Sequence, residues 1–229
     1  KNLRVGIYVY PPPLVNTKRD PELFNVTARQ RDDLTTEIQI KTPEVVLTQV
    51  TKFCPASCST AVLEYPVKTV SDLKCVRAWY EGATYSPNYE AVLECDMSWG
   101  DCGVALPLLP RTPLAALHVE WIGLTNLVEI LAENPEELYD TIKVMRRAED
   151  ELYRLVCAAP YPFVVIPDNL SAETMYSLWN TFSRDYYVEK IGELHASGKK
   201  VACHIDGTLG RLLKSLIETG VDFPEAVTP

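Results

Sequence analysis

Three short apolar runs in the second half of the chain each stop abruptly at residues capable of chemistry, and this pattern restricts the fold more than any other. The first is Phe163-Val164-Val165-Ile166, which ends in Pro167-Asp168-Asn169. The second is Lys200-Val201-Ala202-Cys203, which ends in His204-Ile205-Asp206-Gly207. The third is Val221-Asp222-Phe223, which runs on to Glu225 and Thr228. Amphipathic segments long enough to be helices lie between them, and buried strands alternating with helices make a parallel sheet. The strands of such a sheet all end on one rim, where active sites form. Asp168, His204, Asp206 and Glu225 are therefore expected to meet, although they are spread from residue 168 to residue 225.

A chain of 229 residues is long enough for one large domain or two small ones. One domain over 1–229 is expected, with a looser part up to residue 100 and regular β–α units over 101–229. The net charge of −9, with Lys18-Arg19 and Arg146-Arg147 as isolated basic pairs, argues against a nucleic-acid partner, because phosphate contacts need clustered cations. The longest apolar runs fall short of the roughly eighteen residues of a membrane span. Leu3 to Val15 is interrupted by Arg4 and by Pro11-Pro12-Pro13, which is not the pattern of a signal peptide. Seven irregularly spaced cysteines predict free, mostly buried thiols and a cytoplasmic setting rather than a disulfide framework. Cys54 and Cys58 lack the second pair that a metal site would need.

Along the chain, Leu3 to Tyr10 reads as a strand leaving through the triple proline in an extended form. Thr35 to Phe53 alternates apolar and polar residues around Thr42-Pro43-Glu44, which predicts a β-hairpin outside the β–α repeat. Ser71-Asp72 caps a short helix carrying Leu73, Val76 and Trp79, and a second runs from about Asn88 to Met97 with Gly100 as its stop. Gly103 to Leu109 is a buried strand marred by Pro107, with Arg111-Thr112 as its polar exit. Leu114 to Ala132 is helical with a break near Gly123. Asn134-Pro135-Glu136-Glu137 then opens a long helix with an N-cap, proline at the first position and acids facing the dipole. Its stripe is Leu138, Ile142, Met145, Ala148 or Glu149, Leu152 and Val156. Helices over Ala172 to Ala196 and Leu209 to Thr219 close at Gly198 and Gly220.

Several stretches resemble one family. Pro167-Asp168-Asn169-Leu170-Ser171, His195-Ala196-Ser197-Gly198-Lys199-Lys200, His204-Ile205-Asp206-Gly207, Gly220-Val221-Asp222 and Glu225-Ala226-Val227-Thr228-Pro229 are similar to the uroporphyrinogen decarboxylase superfamily. Val119-Glu120-Trp121-Ile122-Gly123 and Pro66-Val67-Lys68-Thr69 resemble its branch of cobalamin-dependent methyltransferases. The resemblance covers roughly residues 40–229 and is sharpest in the C-terminal half. It implies a (β/α)8 TIM barrel with its site on the C-terminal rim, incomplete in this chain, which would lack the last strands and an upstream segment.

Two departures bear on the chemistry. The Arg-Gln-Ala-Gly-Arg-Tyr opening with which true uroporphyrinogen decarboxylases hold substrate carboxylates has no counterpart in Arg4-Val5-Gly6-Ile7-Tyr8. The methyltransferases hold zinc through His-x-Cys-Gly and a later Cys; here the motif reads His204, Asp206, Gly207, and the later ligand would fall beyond Pro229. His plus Asp is a harder donor set than thiolate, yet workable for zinc acting as a Lewis acid on an ether oxygen. The same pair could equally be a metal-free proton relay.

The resemblance thus implies methyl transfer between a small methylated substrate and a corrinoid carried by a partner protein, with His204 and Asp206 holding zinc and Asp168 as the third catalytic group. Asn169, Arg111, Glu120 and Glu225 are the expected substrate-binding residues. The alternative is cofactor-free decarboxylation of a porphyrinogen, in which Asp168 would stabilise a protonated pyrrole; a third is a non-catalytic binding protein. The oligomeric state is left open by the sequence, a homodimer being one assembly compatible with it. Ordinary explanations stand beside each residue: helix capping for Asp168, a backbone-satisfied imidazole for His204, a salt bridge to Arg111 for Glu120, and a loop carboxylate for Glu225. His118, His195, Tyr186, Tyr187 and the tryptophans read as structural.

Overall fold

The computed structural model describes residues 7–226. Leu3 to Gly6 of the first expected strand, and Thr228, lie outside the described residues. In chain order the elements are β1 (Ile7–Val9), β2 (Val15–Lys18), β3 (Asn25–Gln30), β4 (Thr35–Lys41), β5 (Val46–Cys54) and β6 (Ser59–Glu64). A 3₁₀ turn, Val70–Asp72, leads into α1 (Leu73–Glu81), followed by β7 (Thr84–Pro87), α2 (Tyr89–Trp99) and β8 (Gly103–Ala105). Next come α3 (Pro113–Ala116), a π-helical turn (Leu117–Ile122), α4 (Leu124–Glu133), α5 (Pro135–Ala158) and β9 (Phe163–Leu170). The chain ends with α6 (Ala172–Leu178), a second π-helical turn (Trp179–Ser183), α7 (Arg184–Ala196), β10 (Lys200–Ile205), α8 (Leu213–Ile217) and β11 (Phe223–Glu225).

These elements fall into two compact units, one of Lys1–Thr17, Tyr85–Leu114 and Asp150–Pro229, the other of Lys18–Thr84 and Ala115–Glu149. The second unit is built around an antiparallel sheet in the order β3-β4-β5-β6. The predicted hairpin is its centre, with Thr35 to Lys41 paired against Lys52 to Val46. Its two outer strands have little apolar periodicity and are mostly exposed, so nothing in their sequence announced them. In the same unit Asp72 stands at the N-cap position of α1 but makes no side-chain cap there; its carboxylate reaches back to accept the N–H groups of Lys68 and Thr69, so the turn starts earlier than Ser71. The helical break falls at Gly123, whose φ of 78° and close approach to the Tyr65 ring leave no space for a Cβ.

The long helix is as its sequence dictates. Pro135 opens it, and Leu138, Ile142, Met145, Glu149, Leu152 and Val156 are buried, so the stripe passes through Glu149 rather than Ala148. Among the described residues no single helix is long and apolar enough to cross a membrane; the pair Pro113–Ile122 and Leu124–Glu133 reaches that length only with a bend of 114°. All seven cysteines are free thiols, but only Cys75 and Cys203 are buried, fewer than expected.

The expected (β/α)8 TIM barrel is not what forms. The first unit holds two parallel sheets, β1-β8 and β11-β10-β9, joined by an isolated parallel bridge between Leu108 and Val165. Between β1 and β8 the chain makes the antiparallel β3-β4-β5-β6 sheet, α1, α2 and a separate pair of strands, β2 and β7, and no closed barrel is seen among the described residues. Pro107, just past β8, has no N–H to give; its carbonyl accepts from Val165 N–H, and the next donor toward β9 is Leu109 N–H to Val165 O.

The joined strands run β1, β8, β9, β10, β11. Flat, the outer two would lie about 19 Å apart. Yet the Tyr8 hydroxyl of β1 donates to Glu225 of β11 at 2.5 Å, so the sheet curls until its edge strands approach. Val165, Ala202 and Leu106, flanked by Val104, Phe163 and Phe223, fill the concave side.

Candidate functional site

Strand alternation decides which side chains join that concave side. Ala202 lies opposite Val165 and Phe223, so two residues further His204 and Glu225 stand side by side on the same face, one layer nearer the strand ends. On β1, Tyr8 is opposite Val104, and Tyr10 follows with the same parity. The resulting cluster has Glu225 at its centre. Its Oε1 accepts from the Tyr8 and Tyr10 hydroxyls at 2.5 and 3.0 Å, and its Oε2 meets His204 Nδ1. The Glu225 side chain is 7% exposed and that of His204 28%, whereas Tyr8 and Tyr10 are about half exposed, so the cluster opens to solvent on the tyrosine side.

The charges in this cluster are mutually adjusted. Burial pushes the Glu225 carboxyl up, but the hydrogen bonds from Tyr8, His204 and Tyr10 outweigh it and hold the group below the ordinary glutamate value. The Tyr8 phenol is raised, chiefly by its hydrogen bond to Glu225. The Tyr10 phenol is raised by burial and by the same carboxylate. Glu225 is therefore ionised and both phenols are neutral donors near neutral pH.

A bulge sets the neighbouring edge. Cys203 pairs with Ile166 and Ile205 with Leu170, so Pro167, Asp168 and Asn169 together oppose His204, and Asn169 takes a φ of 52°. Pro167 and Asn169 face the concave side. Asn169 donates to Asp206 at 3.0 Å and accepts from Arg111 at 2.8 Å, while Arg111 also donates to the Pro167 carbonyl.

Asp168 points the other way. It is buried between the sheet and α7, where it accepts the Thr112 N–H at 2.8 Å, the Thr112 hydroxyl at 2.5 Å and the Tyr187 hydroxyl at 2.8 Å. Burial drives its carboxyl above the ordinary aspartate value despite these bonds and the nearby Arg111. Tyr187 also meets the Cys203 thiol at 3.5 Å, and burial raises that thiol as well. Every oxygen of Asp168 is occupied from within the fold. It pins the Arg111-Thr112 segment to β9 and does not face His204.

Of the residues singled out from sequence, the structure brings together His204 with Glu225, and Arg111 with Asn169 and Asp206. Asp168 ends up across the sheet from His204, and Glu120 belongs to the other unit, exposed on its π-helical turn. His195, in the last turn of α7, meets Asp222 at 2.8 Å. Tyr8 and Tyr10 were missed. Their i, i+2 spacing on a strand was the available signal, but nothing in it said which strand end they would face.

Zinc needs three or four converging donors. His204 Nδ1 is taken by Glu225 and Asp206 is engaged by Asn169, and among the described residues no three His, Cys, Asp or Glu side chains are grouped to hold a metal ion. The described donors do not make up a zinc centre. No protein-family model matches the chain, and no curated protein matches it.

Proposed function

We propose that this chain is a small-molecule enzyme working by proton transfer, with His204 as the group that exchanges the proton and Glu225 as the carboxylate that orients it. The single observation behind this reading is that His204 and Glu225 are paired neighbours on the concave face, with Glu225 itself gripped by two phenols. A carboxylate on Nδ1 fixes the imidazole's tautomer and orientation, which leaves Nε2 to act as acid or base. Loss of CO2 from a carboxylated substrate fits this equipment without a cofactor. The C–C bond breaks, its electron pair stays on the substrate carbon, and that carbon takes a proton from His204, which recovers one from solvent. A porphyrinogen is the carboxylated molecule that the sequence resemblance implies. Methyl transfer to a corrinoid protein would call on a donor set that His204 and Asp206 supply only in part.

The test is CO2 release from a porphyrinogen and from simpler pyrrole carboxylates. Turnover by the wild-type protein should fall on the order of 100-fold or more in His204→Ala. Release that is absent, or unchanged in that variant, would overturn the reading, and so would stoichiometric zinc in the purified protein that His204→Ala removes.

A further inference from the structure

A cleft of the first unit is lined from Pro13 to Thr17 and from Leu108 to Pro110, and nothing in the proton-transfer reading uses it. It has a volume of about 430 Å³, within the range of small-molecule sites. Leu152 and Val156 of α5 line it together with Leu109 and Leu14, all buried, and Asn16 adds a polar side chain. Pro13 and Pro110 flank it. Prolines cannot donate to a ladder, so the two segments cannot zip shut across the gap.

Two features tie the cleft to the cluster. Leu108 lines the cleft, and as the bridge partner of Val165 it also faces the concave side; it is 37% exposed. From Leu108 to His204 is two strand spacings sideways and two residues along, about 12 Å in a flat sheet and less in a curled one. From the other side, Tyr10, which holds Glu225, is followed directly by the proline run that ends at Pro13 in the cleft wall, about 9 Å away along an extended chain.

We infer that the cleft is the binding site for the apolar part of the substrate, and that this substrate is an elongated amphipathic carboxylate: an aryl or alkyl body in the cleft and a carboxylated end about 10 Å away, at His204. This rests on the proton-transfer reading for the location of the reacting end; occupancy of the cleft can be measured without turnover.

Phenylalkanoic acids of graded chain length, titrated calorimetrically into the full chain, serve as the probe. Affinity should rise with length until the acid spans the distance, then level off. Leu108→Trp, which fills the mouth from a partly exposed position, should weaken the best acid at least tenfold. Leu108→Asp should do the same by charge, with an unchanged circular dichroism spectrum showing that the fold survives. His204→Ala should leave the apolar contribution intact. Binding that ignores both Leu108 variants, or that does not depend on chain length, would overturn the inference. Binding as expected with no CO2 release would sink the proton-transfer reading and leave the cleft standing as an amphipathic-acid site.

Discussion

The two faces of one parallel sheet carry two carboxylates built from the same parts and tuned in opposite directions. Glu225 on the concave side and Asp168 on the helix-covered side each accept a tyrosine hydroxyl and sit near a basic side chain. Glu225 is held below its ordinary value and Asp168 is pushed above its own. The difference lies in what surrounds the bonds. Around Glu225 the phenols are half exposed, and an imidazole completes the cluster, so hydrogen bonding to the ionised form wins. Around Asp168 the donors are themselves buried, and desolvation wins. The same chemistry therefore makes an ionised carboxylate on one side and a buried structural pin on the other.

Truncation breaks this contrast most sharply. Asp168→Ala strands the Thr112 N–H, the Thr112 hydroxyl and the Tyr187 hydroxyl in a dry layer, and should cost about 3 kcal/mol or more in urea unfolding. Glu225→Ala also removes three hydrogen bonds, but water can reach the half-exposed tyrosines it abandons, so a loss of about 1 kcal/mol is expected. Equal losses at the two positions would show that the faces do not differ in solvation. Tyr187→Phe takes one donor from Asp168 and should fall between them, at about 1–2 kcal/mol.

Acid titration separates the faces by sign. Glu225 binds its proton less readily in the folded protein, so its contribution is present above the unfolded value near 4.5 and is lost as the pH falls through the lower folded value. Asp168 binds its proton more readily when folded. It therefore penalises the native state at neutral pH, and the penalty is relieved as the pH falls through the raised folded value toward the unfolded value near 3.8. Stability measured from pH 7 downward should lose part of its acid-side fall in Glu225→Gln. It should fall more steeply in Asp168→Asn, which cannot take up the compensating proton. The reverse pattern would mean that the assigned directions are wrong.

How much of this could be read from sequence follows from the range of each interaction. The α5 start and stripe, the Gly123 break and the central hairpin depend on residues within a few positions of one another, and local chemistry specified them. His204 and Glu225 could be placed on one rim because parallel strands end together. Which face each side chain took was another matter. On β9 that was settled by a bulge around Asn169, and a single-residue slip there would exchange Asp168 for a concave-facing group. The barrel expectation failed for a related reason: it treated the hairpin from Thr35 to Phe53 as an excursion, whereas residues 25–64 form a four-stranded sheet in the second unit.

The smallest effect is also the most specific to the concave face. Tyr8→Phe deletes the donor to Glu225 at 2.5 Å, from a side chain already half exposed, so stability should change by no more than about 0.5–1 kcal/mol. The Glu225 carboxyl should nonetheless titrate at a higher pH, because this bond leads those that offset its burial. Carbon-13 NMR of the labelled side chain would follow it. Tyr10→Phe should shift it in the same direction by less, since its bond is longer and ranks below that of His204. A carboxyl that titrates unchanged in both variants would mean that neither phenol reaches Glu225, and with that the curl bringing β1 over β11 would lose its main support.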